Sequence, residues 1–292
     1  MKLFKFLAPW LLLPFGLSPA WAFDTQNKQI LWQATKGDQT LYLLGSIHLT
    51  HPSFYPLDAD IYKAYELSDV LVMEIGTEIS SPETAALMDR RSKLPAGQDL
   101  LDMLSEATLN KARAAGDKYG VPIEMFRFRK PWYYVITLAA NQYVKLGYQA
   151  HLGIDLHFQQ RAIKDAKQVI GLETIDEQLD FFDQMMTKDT DEFINQTLDE
   201  MAASESFIQD MAKAWKSGNA DQLDKILDHS MQNYPEIEAV LLHQRNRNWM
   251  QKIPQLLAAH KTLFVVVGAA PLVGDQGLPQ LLKQQGFTLQ QL

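Results

Sequence analysis

The sequence predicts an α/β fold: a central mixed β-sheet made from N- and C-terminal strands and covered by a long, mainly helical middle region. Three observations predict it. The chain opens with strand-like runs around a tight turn, then a helix, then another strand. Near the other end, Thr262 to Val267 is an unbroken run of β-branched and aromatic residues, TLFVVV. Between them, apolar residues recur at three- and four-residue spacing.

In chain order, the apolar runs 29–34 and 40–44 flank Lys36-Gly37-Asp38-Gln39, a hairpin signal. Ile61, Ala64, Tyr65 and Leu67 after Pro56 predict a helix over 58–67. Residues 70–75, VLVMEI, read as a buried strand stopped by Gly76. Residues 82–165 read as helical, punctuated at Gly97, Gly116, Gly120-Val121-Pro122 and Lys130-Pro131. Residues 168–172 predict a short strand and 175–260 more helix, broken at 217–219 and 233–235. Leu278 to Gln285 reads as a helix and 287–292 as a last strand. Residues 187–245 are either packing helices or a lid. One domain, 23–292, follows, with strands from both chain ends sharing a sheet.

Composition narrows the function. With no cysteine among 292 residues, disulfides, thiol nucleophiles and cysteine metal sites are excluded, and a metal needs His, Asp, Glu or backbone oxygen. The formal charge of -8 argues against a nucleic-acid partner, which requires clustered Lys and Arg. Residues 1–22 read as a secretory leader. Lys2 and Lys5 precede an apolar stretch from Leu7 to Leu17, and Ala20-Trp21-Ala22 fits a cleavage site, so maturation is expected after Ala22. Without Lys2 and Lys5 the chain carries 25 basic and 35 acidic residues, a net of -10. The expectation is an exported, periplasmic protein with no stable membrane insertion after cleavage.

Candidate chemistry gathers at strand and helix ends. Gly45-Ser46-Ile47-His48 closes the second strand, where α/β sheets place ligands. His48 is either a site group or a turn histidine capping the next helix. Glu74 ends a buried strand, where a carboxylate needs a partner or a metal. His48 and Glu74 emerge at one sheet edge if their strands are parallel neighbours. Asp155 lies in the first turn of a helix opened by Gly153, and suits either that dipole or a site; His157 either supports a site or covers an apolar patch. Thr174 and Glu177 form a capping box, which leaves Glu173 unexplained. Arg245 stands four residues before Trp249 on one helix face, suited to neutralising Glu74 or holding a carboxylate.

Together, LYLLGSIHLT, SDVLVMEIG, GIDLHF with GLET and Gln178, HQRNRNW and FVVVGAAPLVGDQGLPQLLKQQGFTL, in this order, resemble the TraB/GumN family. That family is related to the Tiki metalloproteases and, more distantly, to erythromycin-esterase-like and ChaN-like proteins. The resemblance implies the same α/β fold. It also implies a hydrolase cleft containing His48, Glu74 and Arg245, to which the helix-start position adds Asp155, with His48 and Glu74 as ligands for a divalent Mn, Co or Zn, and a peptide or small ester-like substrate. A second Gly-Ala-Ala-His motif is implied near the C-terminus, but here it reads Gly268-Ala269-Ala270-Pro271. Proline can neither ligate a metal nor shuttle a proton. Three readings stay open: a weakened hydrolase, with His51 as a substitute ligand; a metal-free one with His48 as base and Glu74 orienting it; or a non-catalytic binding or envelope-accessory protein.

Overall fold

The structure, a computed structural model, describes residues 23–24, 26–77, 81–184, 189–203, 205–232 and 235–292. The expected leader, 1–22, lies outside the described residues, as does part of the break expected at 233–235.

Leu31–Lys36 (β1) and Gln39–Ser46 (β2) form the antiparallel hairpin, turning at Gly37 with φ 62°. Ala59–Glu66 (α1), capped by Asp58, leads into Val70–Met73 (β3). Helices Pro82–Arg91 (α2), Glu106–Tyr119 (α3) and Pro131–Lys145 (α4) follow, then Ile154–Lys164 (α5) and the short strand Val169–Gly171 (β4). Next come Ile175–Gln184 (α6), Thr190–Ala203 (α7), Glu205–Lys216 (α8), Ala220–Met231 (α9) and Pro235–Glu238 (α10). A π-helical stretch, Ala239–Gln244, runs straight into Arg245–Ala259 (α11). The chain ends with Thr262–Gly268 (β5), Leu278–Gln284 (α12) and Thr288–Gln291 (β6).

These strands form one mixed sheet in the order β4-β3-β5-β2-β1-β6. β4, β3, β5 and β2 run parallel, while β1 pairs antiparallel with β2 and β6. Two expectations are corrected. The strand expected over 70–75 ends at Met73, so Glu74 lies in the turn beyond it. The strands leading to His48 and Glu74 are parallel but not neighbours, because β5 lies between them. β5 carries the most continuous apolar run and therefore takes the centre, buried on both faces.

Ile61 and Tyr65 of α1, Phe158 of α5, and Trp249 and Ile253 of α11 pack on the sheet residues Leu43, Val72 and Val265. A second cluster joins α3, α4 and α7 through Ala112, Tyr134, Leu138 and Ile194. The helices of 187–245 are packing helices where described: Ile194 is fully buried, and Trp215 of α8 donates its indole N–H to the Gly45 carbonyl at 2.7 Å. No helix among the described residues is long and apolar enough to cross a membrane.

Candidate active site

All four parallel strands stop at one sheet edge. Ser46 of β2 is level with Gly268 of β5, and Met73 of β3 with Val266 of β5 and Gly171 of β4. The residues just past these ends therefore converge: His48 after β2, Glu74 after β3, Glu173 after β4, and the 268–271 turn after β5. This is the edge at which parallel sheets present ligands, since every strand there hands over to a loop. A cavity of about 370 Å³ opens at it, lined among others by Ser46, His48, Glu74, Asp155, Gln159 and Gln178.

α5 fixes the His48 loop. Its first amide, Ile154 N–H, donates to the Ile47 carbonyl at 3.1 Å, and Asp155 Oδ2 pairs with His48 Nδ1 at 2.9 Å. Gly153 makes this approach feasible, because a Cβ there would stand 2.5 Å from the His48 carbonyl oxygen. The His48 side chain is 58% exposed, and its Nε2 has no hydrogen bond among the described residues. Partial desolvation opposes the imidazolium, but the hydrogen bond and charge of Asp155, with the charge of Glu74, raise the His48 pKa to about 9. The same pairing holds Asp155 below the usual carboxylate range against the cost of its burial.

Arg245 organises the floor. It follows the π-helical stretch, a rare geometry often found at functional sites, which re-registers the helix. Its Nη2 reaches Glu74 Oε2 and Glu173 Oε1, both at 2.5 Å, and its Nε donates to Glu173 Oε2 at 3.1 Å. The guanidinium also lies 4.7 Å from the Trp249 ring centre, and the Trp249 indole donates to Glu173 at 3.1 Å. Glu74 Oε1 accepts the Gly268 N–H at 2.7 Å. Burial opposes the Glu74 charge, yet Arg245, His48 and that amide hold its pKa below the ordinary value. Glu173 is pushed up: burial and the nearby Glu74 charge outweigh its share of the guanidinium.

The TraB/PrgY/gumN family model matches residues 30–291, which is the entire sheet and everything between its ends. The chain belongs to this family. It is 28% identical over 247 residues to YbaP of Escherichia coli (strain K12), covering 85% of this chain and 89% of that protein, and equally to YbaP of Shigella flexneri. It is 22% identical over 312 residues to Metalloprotease TIKI1 of Danio rerio, covering 89% of this chain and 62% of that protein. No solved structure matches it.

In this TraB/PrgY/gumN chain, the four residues read from sequence form two pairs, His48 with Asp155 and Glu74 with Arg245; His48, Asp155 and Glu74 line one cavity, and Arg245 reaches it through Glu74. The group orienting His48 is Asp155, not Glu74, whose two oxygens are engaged by Gly268 and Arg245. His157 is half-buried against Tyr55, Tyr62 and Phe158, with its buried Nε2 unpartnered, so it covers an aromatic patch. His51 turns to Ser53 and lines a different cavity. Three further residues were given no role from sequence. Glu173 is the second carboxylate on Arg245, and its unexplained strand-end position was the signal. Gln178 donates to Glu173 at 3.2 Å. Asn246 donates to the Pro271 and Gln276 carbonyls, holding the altered motif in place; nothing in the polar run 243–248 distinguished it.

The donor set does not fit a resident divalent metal. Glu74 accepts from three N–H donors, Gly268, Gln178 and Arg245, the last a guanidinium that repels a cation. Pro271 is buried and offers no ligating side chain. Among the described residues, no group of three or more His, Cys, Asp or Glu gathers to hold a metal ion.

Proposed function

We propose that this chain is an exported hydrolase of ester or peptide bonds whose reaction needs no metal. The observation that carries the reading is the His48–Asp155 pair at the cavity mouth, with Nδ1 engaged and Nε2 open. Nε2 removes a proton from water as the water oxygen attacks the carbonyl carbon. The imidazolium so formed is stabilised by Asp155 and Glu74, and it returns the proton to the leaving oxygen or nitrogen. Arg245 is a positioning residue: it keeps Glu74 ionised, so that its charge favours the imidazolium, and it transfers no proton itself. Because the resting imidazole is protonated up to about pH 9, the base form is scarce at neutral pH and the reaction is expected to quicken as pH rises.

The test is a panel of esters and peptides with wild type and His48→Ala. The expected result is turnover on at least one class, reduced in the variant by about 10²- to 10⁴-fold. Equal turnover removes His48 from the reaction. Absence of turnover across the panel favours the competing reading, a ligand-binding protein on this scaffold, which rests on Pro271. Export is part of the proposal, supported by Lys2, Lys5, the apolar 7–17 stretch and Ala20-Trp21-Ala22. N-terminal sequencing of the periplasmic fraction is expected to start at Phe23; a chain retained in the cytoplasm from Met1 contradicts it.

A further inference from the structure

Beside the candidate active site lies a second cavity of about 550 Å³ whose lining has the opposite charge to the chain as a whole. We propose that it binds an anionic group, phosphate or carboxylate, attached to a ring-bearing body. Its basic residues are His51, Lys213 and Lys216, and no Asp or Glu lines it, although acidic residues outnumber basic ones in the sequence by 35 to 27. Its floor is aromatic: Phe54 and Tyr148 are both buried, with ring centres 6.5 Å apart.

The polar groups are set out for an anion. His51 Nδ1 accepts the Ser53 amide at 3.2 Å, so a neutral His51 carries its proton on Nε2 and presents a donor. Lys216 donates to Ser53 Oγ at 3.2 Å and stands 5.0 Å from the Phe54 ring centre, which fixes its ammonium over the floor. Lys213, one helical turn before it on α8, is exposed and makes no ion pair among the described residues. A plainer account exists for the lysines, since the last turn of a helix favours cations. That account does not explain why His51, from a distant loop, faces them across an apolar floor free of carboxylates.

The two cavities are neighbours along the chain. Tyr148 lines this one and Ala150 the candidate active site. Two residues span at most about 7 Å. Between them, Gln149 bridges Thr50, midway along the loop from His48 to His51. On the hydrolase reading, this cavity would hold the anionic end of a substrate whose reactive bond reaches His48; the binding site itself does not depend on that reading.

The test is calorimetric titration of the full chain with phenyl phosphate, benzoate and inorganic phosphate at low salt, without turnover. The two ring-bearing probes distinguish a phosphate from a carboxylate ligand. Saturable binding of at least one is expected, weakened about tenfold or more in the double variant Lys213→Gln, Lys216→Gln and by raised salt. Both lysines are exposed, so the variant is expected to melt with the wild type. His48→Ala is expected to leave the affinity unchanged while removing hydrolysis, which separates this site from the catalytic reading. Equal affinity in the double variant, or no saturable binding of either ring-bearing probe, overturns the proposal. Inorganic phosphate binding as tightly as the ring-bearing probes overturns the aromatic floor's part in it.

Discussion

Asp155 and His48, separated by 107 residues, meet at 2.9 Å because the N-terminus of α5 is bonded to the loop that leaves β2. This pairing decides the protonation state of the candidate base. In chelator-treated protein, the His48 ring is expected to titrate near pH 9 by NMR, against an ordinary 6.5. Asp155→Asn removes both the hydrogen-bond acceptor charge and its field, so the midpoint is expected to fall by at least one pH unit. An unchanged midpoint would show that Asp155 does not govern the ring.

The same shift has a consequence for stability. A group whose folded-state pKa is raised contributes stability that is fully present below its unfolded value and lost as pH rises through the folded one. The His48 contribution is therefore complete below about pH 6.5 and gone above about pH 9. Urea unfolding at pH 6 and pH 10 is expected to show a larger loss for wild type than for Asp155→Asn. The ring is more than half exposed, so the difference is small.

Arg245 serves two buried carboxylates, and its removal strands both. Arg245→Ala is expected to cost about 3–5 kcal/mol in urea unfolding. Arg245→Met combined with Glu74→Gln and Glu173→Gln leaves no buried charge unpaired and is expected to recover much of that loss. A mild effect of Arg245→Ala alone would mean that water reaches the cluster.

Gly153 is required by proximity rather than by backbone angle, since its φ of -52° is open to any residue. Gly153→Ala sets a methyl against the His48 carbonyl and must push the loop outward. The expected outcome is a loss of about 1–3 kcal/mol, seen as a lower Tm, with a fall in kcat. Wild-type kcat in this variant would show that the loop position does not matter to the reaction.

Pro271→His restores the residue type that the family resemblance implies. Glu74 is still tied to Gly268 and Arg245, so calorimetry with Mn²⁺, Co²⁺ and Zn²⁺ is expected to show no tight site. Tight stoichiometric binding would mean that Glu74 readily leaves its present partners.

Much of this was legible in the sequence because strands carry local signals. TLFVVV gave the central strand, and the Lys36–Gln39 turn gave the hairpin. Glu74 was conspicuous as a charge at the end of an apolar run, and Arg245 through its spacing to Trp249. Partnership was harder to read. Which carboxylate faces His48 depends on where α5 docks, and Asp155 carried an adequate local explanation as a first-turn acid. Glu173 stands out at a strand end, but its role is not legible locally, because its partner Arg245 lies 72 residues away. The insertion of β5 between β2 and β3 is a non-local pairing that neither strand encodes alone.

The most direct measurement is the pH dependence of kcat/KM after exhaustive chelation, for wild type and His48→Ala. The expected result is activity that survives chelation, rises with pH through about 9 as the imidazole loses its proton, and is absent in the variant. Activity abolished by the chelator and restored by Mn²⁺, Co²⁺ or Zn²⁺, or retained without His48, would contradict a metal-free reaction driven by the His48–Asp155 pair.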